Sequence, residues 1–127
     1  MTESQPPEEL TPKRIQREAI DRDRANPNFA YGPPSIQMWP GQCLAVVLSV
    51  LRNGLADGRQ SNGTWCGPVA QRHRDRYDPA EVALRRVRHT WITLTDGRVL
   101  DPTRWVFDDS APYVYVGTDP ERWYLPQ

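Results

Sequence analysis

The chain has 127 residues, which suits one domain with one hydrophobic core and leaves no room for a second. Acidic and basic side chains balance at a formal net charge of zero, so no overall field draws the protein to nucleic acid or to an anionic membrane surface. The first residues lack the basic and apolar regions of a secretory signal, and no apolar run approaches the ~20 residues of a membrane span, so a soluble, cytoplasmic protein is expected.

Residues 1–10 are polar, acidic and proline-containing, and are expected to form a disordered tail ahead of a single domain over 11–127. Thr11-Pro12 offers an N-cap with proline at the first helical position, and a solvated helix should follow to Arg24 with Ile15, Ala19 and Ile20 on its thin apolar stripe. Residues 26–40, rich in Pro, Asn and Gly, forbid continuous helix and read as an ordered wrap pinned to the core by Phe29, Tyr31 and Trp39. Gly41 to Asn53 is a buried helix, with Leu44, Val47, Leu48 and Leu51 at helical spacing, Val46 and Val50 on its flanks, and Gly54 closing it in a left-handed conformation.

Leu55 to Arg76 carries Asp57-Gly58 and Asn62-Gly63 turn signals and reads as loop. Asp78-Pro79 with Glu81 predicts a capped short helix to about Arg86. Val87 to Leu94 alternates with period two and is rich in β-branched and aromatic types, a strand. Asp96-Gly97 turns it into a second strand, Arg98 to Asp101, and Trp105–Phe107 and Tyr113–Val116 are further strand candidates. Helices early and strands late describe an α+β chain, its early helix packed on a small antiparallel sheet.

Two cysteines are too few for a disulfide scaffold. The intervals between Cys43, Cys66, His73 and His89 do not match the paired short spacings of zinc motifs, so neither metal nor cofactor is expected. Trp65-Cys66-Gly67-Pro68-Val69 has the outline of a thioredoxin turn, but Val69 replaces the resolving cysteine, which argues against dithiol chemistry.

Cys43 meets the first turn of the buried helix, where the positive end of the helix dipole and unpaired N–H groups favour a thiolate and offer donors to an oxyanion. His89, on the strand, has the chemistry of a general base, and Asp101, ending the next strand, that of a carboxylate that orients it. Register decides whether they meet. A two-residue loop sets Ile92 opposite Asp101 and puts His89 and Asp101 on opposite faces; a three-residue loop with Gly97 left-handed pairs Leu94 with Arg98, sets Trp91 opposite Asp101 and brings His89, Trp91, Val99 and Asp101 to one face. The catalytic reading requires the second.

Cys43 at a helix start, His89-Thr90-Trp91 on a strand and Asp101-Pro102-Thr103 after a short turn resemble the Cys, His-x-Trp and Asp-Pro-Thr pattern of papain-like and transglutaminase-like cysteine enzymes. The resemblance covers about residues 37–101. It implies a papain/transglutaminase-like core, a Cys43-His89-Asp101 triad and an oxyanion role for Gln37, six residues before Cys43, with Gln42 a rival donor. It leaves peptidase, isopeptidase, amidase, acyltransferase and transglutaminase chemistry open. Trp39, Gln42, Trp91 and Arg104, which flank these residues, are the expected substrate or partner contacts.

The Arg72, Arg74, Arg76, Arg85, Arg86, Arg88 cluster, interrupted by acids, reads as a solvated face and, with zero net charge, argues against nucleic acid. The expected partner is a peptide or protein substrate. The competing reading is a non-catalytic binding protein of the same fold, of bacterial or phage type, that meets a protein partner through the Arg-rich surface.

Overall fold

A computed structural model describes residues 10–127. The tail expected over 1–10 therefore lies outside the described residues, apart from Leu10, which packs against the core. Thr11 caps the first helix as expected, its Oγ1 accepting from Arg14 N at 3.1 Å with Pro12 in the first turn. Helix α1 (Pro12–Ile15), a π-helical stretch (Gln16–Ile20) and α2 (Asp21–Arg24) run on without a break and bury Ile15, Ala19 and Ile20. In the wrap that follows, Trp39 is buried with its indole N–H on Gln16 Oε1 at 2.8 Å, whereas Tyr31 stands 71% exposed and pins nothing.

Helix α3 (Cys43–Arg52) is the packing centre. Its inward face differs from the expected stripe: Val46, Val47, Ser49 and Val50 are buried and Leu44 is 47% exposed. A helix apolar nearly all round carries little periodic information about which face turns inward. A polar contact helps fix it. Buried Asp23 accepts from Ser49 Oγ at 2.6 Å, from Asn53 Nδ2 at 3.0 Å and from Arg52, fastening α2 to α3. Gly54 ends the helix at a φ of +69°, the left-handed closure expected of it.

The sheet is five-stranded, antiparallel throughout, in the order β4-β3-β2-β1-β5. Its strands are β1 (Gly58–Trp65), β2 (Val87–Leu94), β3 (Val99–Asp101), β4 (Tyr115–Gly117) and β5 (Tyr124–Pro126). Strand β1 corrects the loop expected over Leu55–Arg76. Its sequence is polar, and Asn62-Gly63 lies mid-strand rather than at a turn. Glycine is required there by close approach: a Cβ on Gly63 would collide with the Leu125 carbonyl oxygen and lie 2.8 Å from the Trp91 ring. The strand expected over Trp105–Phe107 is absent: a 3₁₀ turn (Arg104–Val106) takes its place, and the strand expected over Tyr113–Val116 begins at Tyr115.

Helix α4 (Pro79–Leu84) is capped by Asp78, which accepts from Ala80 N at 2.8 Å. Glu81 does not complete the expected box and accepts instead from Arg88 N at 3.2 Å. Two apolar clusters lie on the two sides of the sheet. One joins α1–α3 to Ile92 and Leu100; the other gathers Trp65, Val87, Trp91, Phe107 and Tyr124. Among the described residues no helix is long and apolar enough to cross a membrane.

Candidate active site

The hairpin joining β2 to β3 adopts the three-residue register. Leu94 N donates to Arg98 O and Gly97 N to Leu94 O, both at 2.8 Å; Gly97 has a φ of +91°, and Ile92 pairs with Leu100 and Thr93 with Val99. Asp101 is thereby brought to the side of the sheet that carries His89 and Trp91. His89 Nε2 donates to Asp101 Oδ2 at 2.7 Å, with both side chains buried.

The turn reading of Asp101 also holds, on its other oxygen. Oδ1 accepts from Thr103 N at 3.0 Å and from Thr103 Oγ1 at 3.3 Å, while Oδ2 takes a second donor, Tyr124 Oη, at 2.8 Å. Four donors on one buried carboxylate compensate its loss of water. Burial would raise the Asp101 pKa, but the charge and hydrogen bond of His89, with the donors from Thr103 and Tyr124, hold it below the usual range.

Cys43 reaches the same ring from the other side. Gly41, at a φ of +82°, bends the chain into α3, and Tyr77 Oη accepts from Gly41 N at 3.0 Å, tying the turn to the segment before α4. Gln42, the N-cap residue, makes no side-chain capping bond, so the first-turn N–H groups have no cap acceptor. Along β2, Leu94 and Ile92 direct their N–H groups toward β3; Thr90 N–H points the same way, but the ladder stops before it. The Thr90 N–H, left without a partner on β3, favours the charged form of the Cys43 thiol.

Burial of Cys43 alone would raise its pKa, as does the charge of Asp101 to a lesser degree. The nearby His89 ring and its charge, with the Thr90 N–H, outweigh both and hold the thiol below its ordinary value. Conversely, burial would depress His89, but Asp101 and then the Cys43 sulfur push its pKa up to about 10. His89 Nδ1, the ring nitrogen not bonded to Asp101, is buried and has no hydrogen-bond partner among the described residues.

A cavity of about 550 Å³ opens over the thiol, with Cys43, His89, Tyr77, Asn62, Thr90 and Arg88 in its wall. In its wall Asn62 Oδ1 accepts from Gln60 Nε2 at 2.9 Å and from Thr90 Oγ1 at 3.1 Å. Arg76 and Arg88 also line it, whereas Arg72 pairs with Asp109 at 3.1 Å and Arg74 bonds Val69 O at 2.9 Å.

The remaining sequence expectations fare differently. Gln37 is exposed on the turn Ile36–Met38 and does not line the cavity. Gln42 is exposed at the helix cap, outside the cavity lining. Trp39, Trp91 and Arg104 are buried and present no contact surface to a substrate. Trp39 packs under α3 and Trp91 beside the His89 ring, with centroids 5.8 Å apart. Arg104 lies 4.0 Å over the Tyr115 ring, among Trp65, Trp123 and Tyr124. Sequence reasoning missed Tyr77 and Tyr124, neither of which sits in a motif. Thr103 was legible in Asp-Pro-Thr as a turn residue. Among the described residues no group of three or more Cys, His, Asp or Glu is arranged to hold a metal ion.

Fold and site together define an α+β chain in which a buried His89–Asp101 pair and the half-buried Cys43 lie beside a cavity of mixed polar and apolar lining. Comparison with protein-family models, curated proteins and solved structures finds no match to it.

Proposed function

We propose that this chain is a cysteine hydrolase with a papain/transglutaminase-like core, acting on a peptide, isopeptide or amide bond of a peptide or protein substrate. One observation carries the reading. A buried histidine is held by a buried carboxylate on one nitrogen and coupled to a helix-start thiol whose pKa is lowered. The Cys43 thiolate attacks the carbonyl carbon, and the oxyanion is met by N–H groups of the first turn of α3. His89 passes its proton to the leaving nitrogen as the C–N bond breaks, leaving a thioester and a neutral ring. Water then attacks, His89 takes its proton, and the acid departs as the thiolate re-forms. An amine in place of water would give acyl transfer through the same thioester. Two unpaired cysteines fit a reducing, cytoplasmic setting.

The test is alkylation by iodoacetamide at pH 7, followed by intact mass and peptide mapping. Cys43 should react faster than Cys66, and His89→Ala, checked for retained fold by circular dichroism, should slow Cys43 at least tenfold. Equal rates at the two cysteines, or no effect of His89→Ala, would overturn the reading.

A further inference from the structure

The Asp101 carboxylate does not face His89 alone. Tyr124, on edge strand β5, donates its hydroxyl to Oδ2, the same oxygen that receives His89 Nε2–H. Its ring is buried and lies 6.1 Å from the imidazole and 5.1 Å from Trp91. Burial and the Asp101 charge raise the phenol far above its ordinary pKa, so it remains a proton donor throughout the working range. The Arg104 guanidinium lies beside the Tyr124 ring at 5.7 Å.

We infer that Tyr124 is a positioning residue that sets the basicity of His89 through Asp101. Two donors on one oxygen divide its charge: what the phenol takes is withdrawn from the imidazolium. An Asp101 without this competitor would bind the His89 proton more tightly, and the ring would release it less readily to a leaving nitrogen. The phenol also fixes the orientation of the carboxylate against rotation, with Thr103 on the other oxygen. The groups facing the pair are Cys43 from α3, Asp101 from β3, Tyr77 from the segment before α4, Arg104 from the turn after β3 and Tyr124 from β5. Among the described residues only Tyr124 shares an acceptor atom with His89.

The inference rests on the Cys43–His89 reading, and its test is separable from it. His89 is one of only two histidines, so its imidazole nitrogens can be followed by NMR in ¹⁵N-labelled protein, with His73→Gln assigning the other. In Tyr124→Phe the His89 titration should move up by about one pH unit, the scale of one lost charged hydrogen bond. Thr103→Val, which removes a donor only from Oδ1, should move it less. The pH at which Cys43 becomes alkylatable should fall in Tyr124→Phe. An unchanged or lowered His89 titration in a folded Tyr124→Phe overturns the inference while leaving His89-dependent alkylation of the wild type, and so the hydrolase reading, in place. Should Tyr124→Phe fail to fold, the wild type decides. A slowly exchanging Tyr124 hydroxyl proton with a cross-relaxation peak to His89 Nε2–H is expected, and its absence while the ring is protonated refutes the shared acceptor.

Discussion

Replacing Asp101 by Asn keeps the shape of the side chain and removes its charge. The carboxylate accepts from four donors, two on each oxygen: His89 Nε2 and Tyr124 Oη on one, Thr103 N and Oγ1 on the other. An amide has one accepting oxygen, so whichever way the asparagine side chain turns, two buried donors face an NH₂ group. Each charge-assisted bond contributes ~1.5–3 kcal/mol, and breaking one side of a buried pair typically costs ~3–5 kcal/mol. A loss of about 3–5 kcal/mol is therefore expected, a fall in Tm of roughly 10 °C or more for a chain this size. The chemistry should suffer as well. Without the carboxylate the imidazolium loses its principal support, the Cys43 pKa rises toward its ordinary value, and turnover falls on the order of 10³–10⁴-fold. Urea melts at pH 7 give the first quantity, and the pH dependence of iodoacetamide alkylation gives the state of the thiol. A variant within ~0.5 kcal/mol of wild type, the usual range of surface substitutions, with an unshifted alkylation profile, would show that Asp101 neither holds His89 nor tunes Cys43.

Two further outcomes are expected. Gly63→Ala places a methyl group against the Leu125 carbonyl and the Trp91 ring; it should cost ~1–3 kcal/mol and loosen β5, read as faster amide exchange at Leu125, whose N–H and C=O face β1. The second concerns pH. The folded pKa of His89, about 10, lies above its unfolded value near 6.5, so its contribution to stability is complete below ~6.5 and is lost as pH rises through about 10. In a Cys43→Ala background, which removes the thiol's own titration, the urea midpoint should fall between pH 6 and pH 10. Adding His89→Gln should abolish most of that fall, and an equal fall in both variants would contradict the assignment.

The helix over Cys43–Arg52, strand β2 and a turn at Asp96-Gly97 were legible because each rests on a local rule: apolar spacing, period-two alternation, and turn-forming residues. Those elements carry Cys43, His89 and Asp101, but the sequence allowed two hairpin registers, and only the observed pairing of Leu94 with Arg98 sets Asp101 beside His89. Strand β1 was not. Its polar, glycine-containing sequence makes sense only beside Trp91 and Leu125, which are distant in sequence. The 3₁₀ turn at Arg104–Val106 escaped for a related reason: its residues are apolar or amphipathic enough for a strand, and tertiary packing decides. Gln37 failed as an oxyanion donor because an interval in sequence does not fix a direction in space; the turn Ile36–Met38 carries it outward. Tyr124, Asp23 and Ser49 form polar contacts across 23 or 26 residues that no periodicity announces.

Strand β2 ends its ladder with β3 two residues short of Thr90, which leaves the Thr90 N–H to act on the Cys43 thiol. The thiol is thus tuned by the backbone of a strand, although it belongs to a helix. At that edge it is within reach of His89 from one face of β2, while Arg88 and Thr90 look into the cavity from the other. Extending β3 to pair with Thr90 would give that N–H a carbonyl partner and withdraw it from the thiol. The early departure of β3 at Pro102, which has no N–H to continue a ladder, therefore leaves a strand donor at the disposal of a side chain carried by a helix.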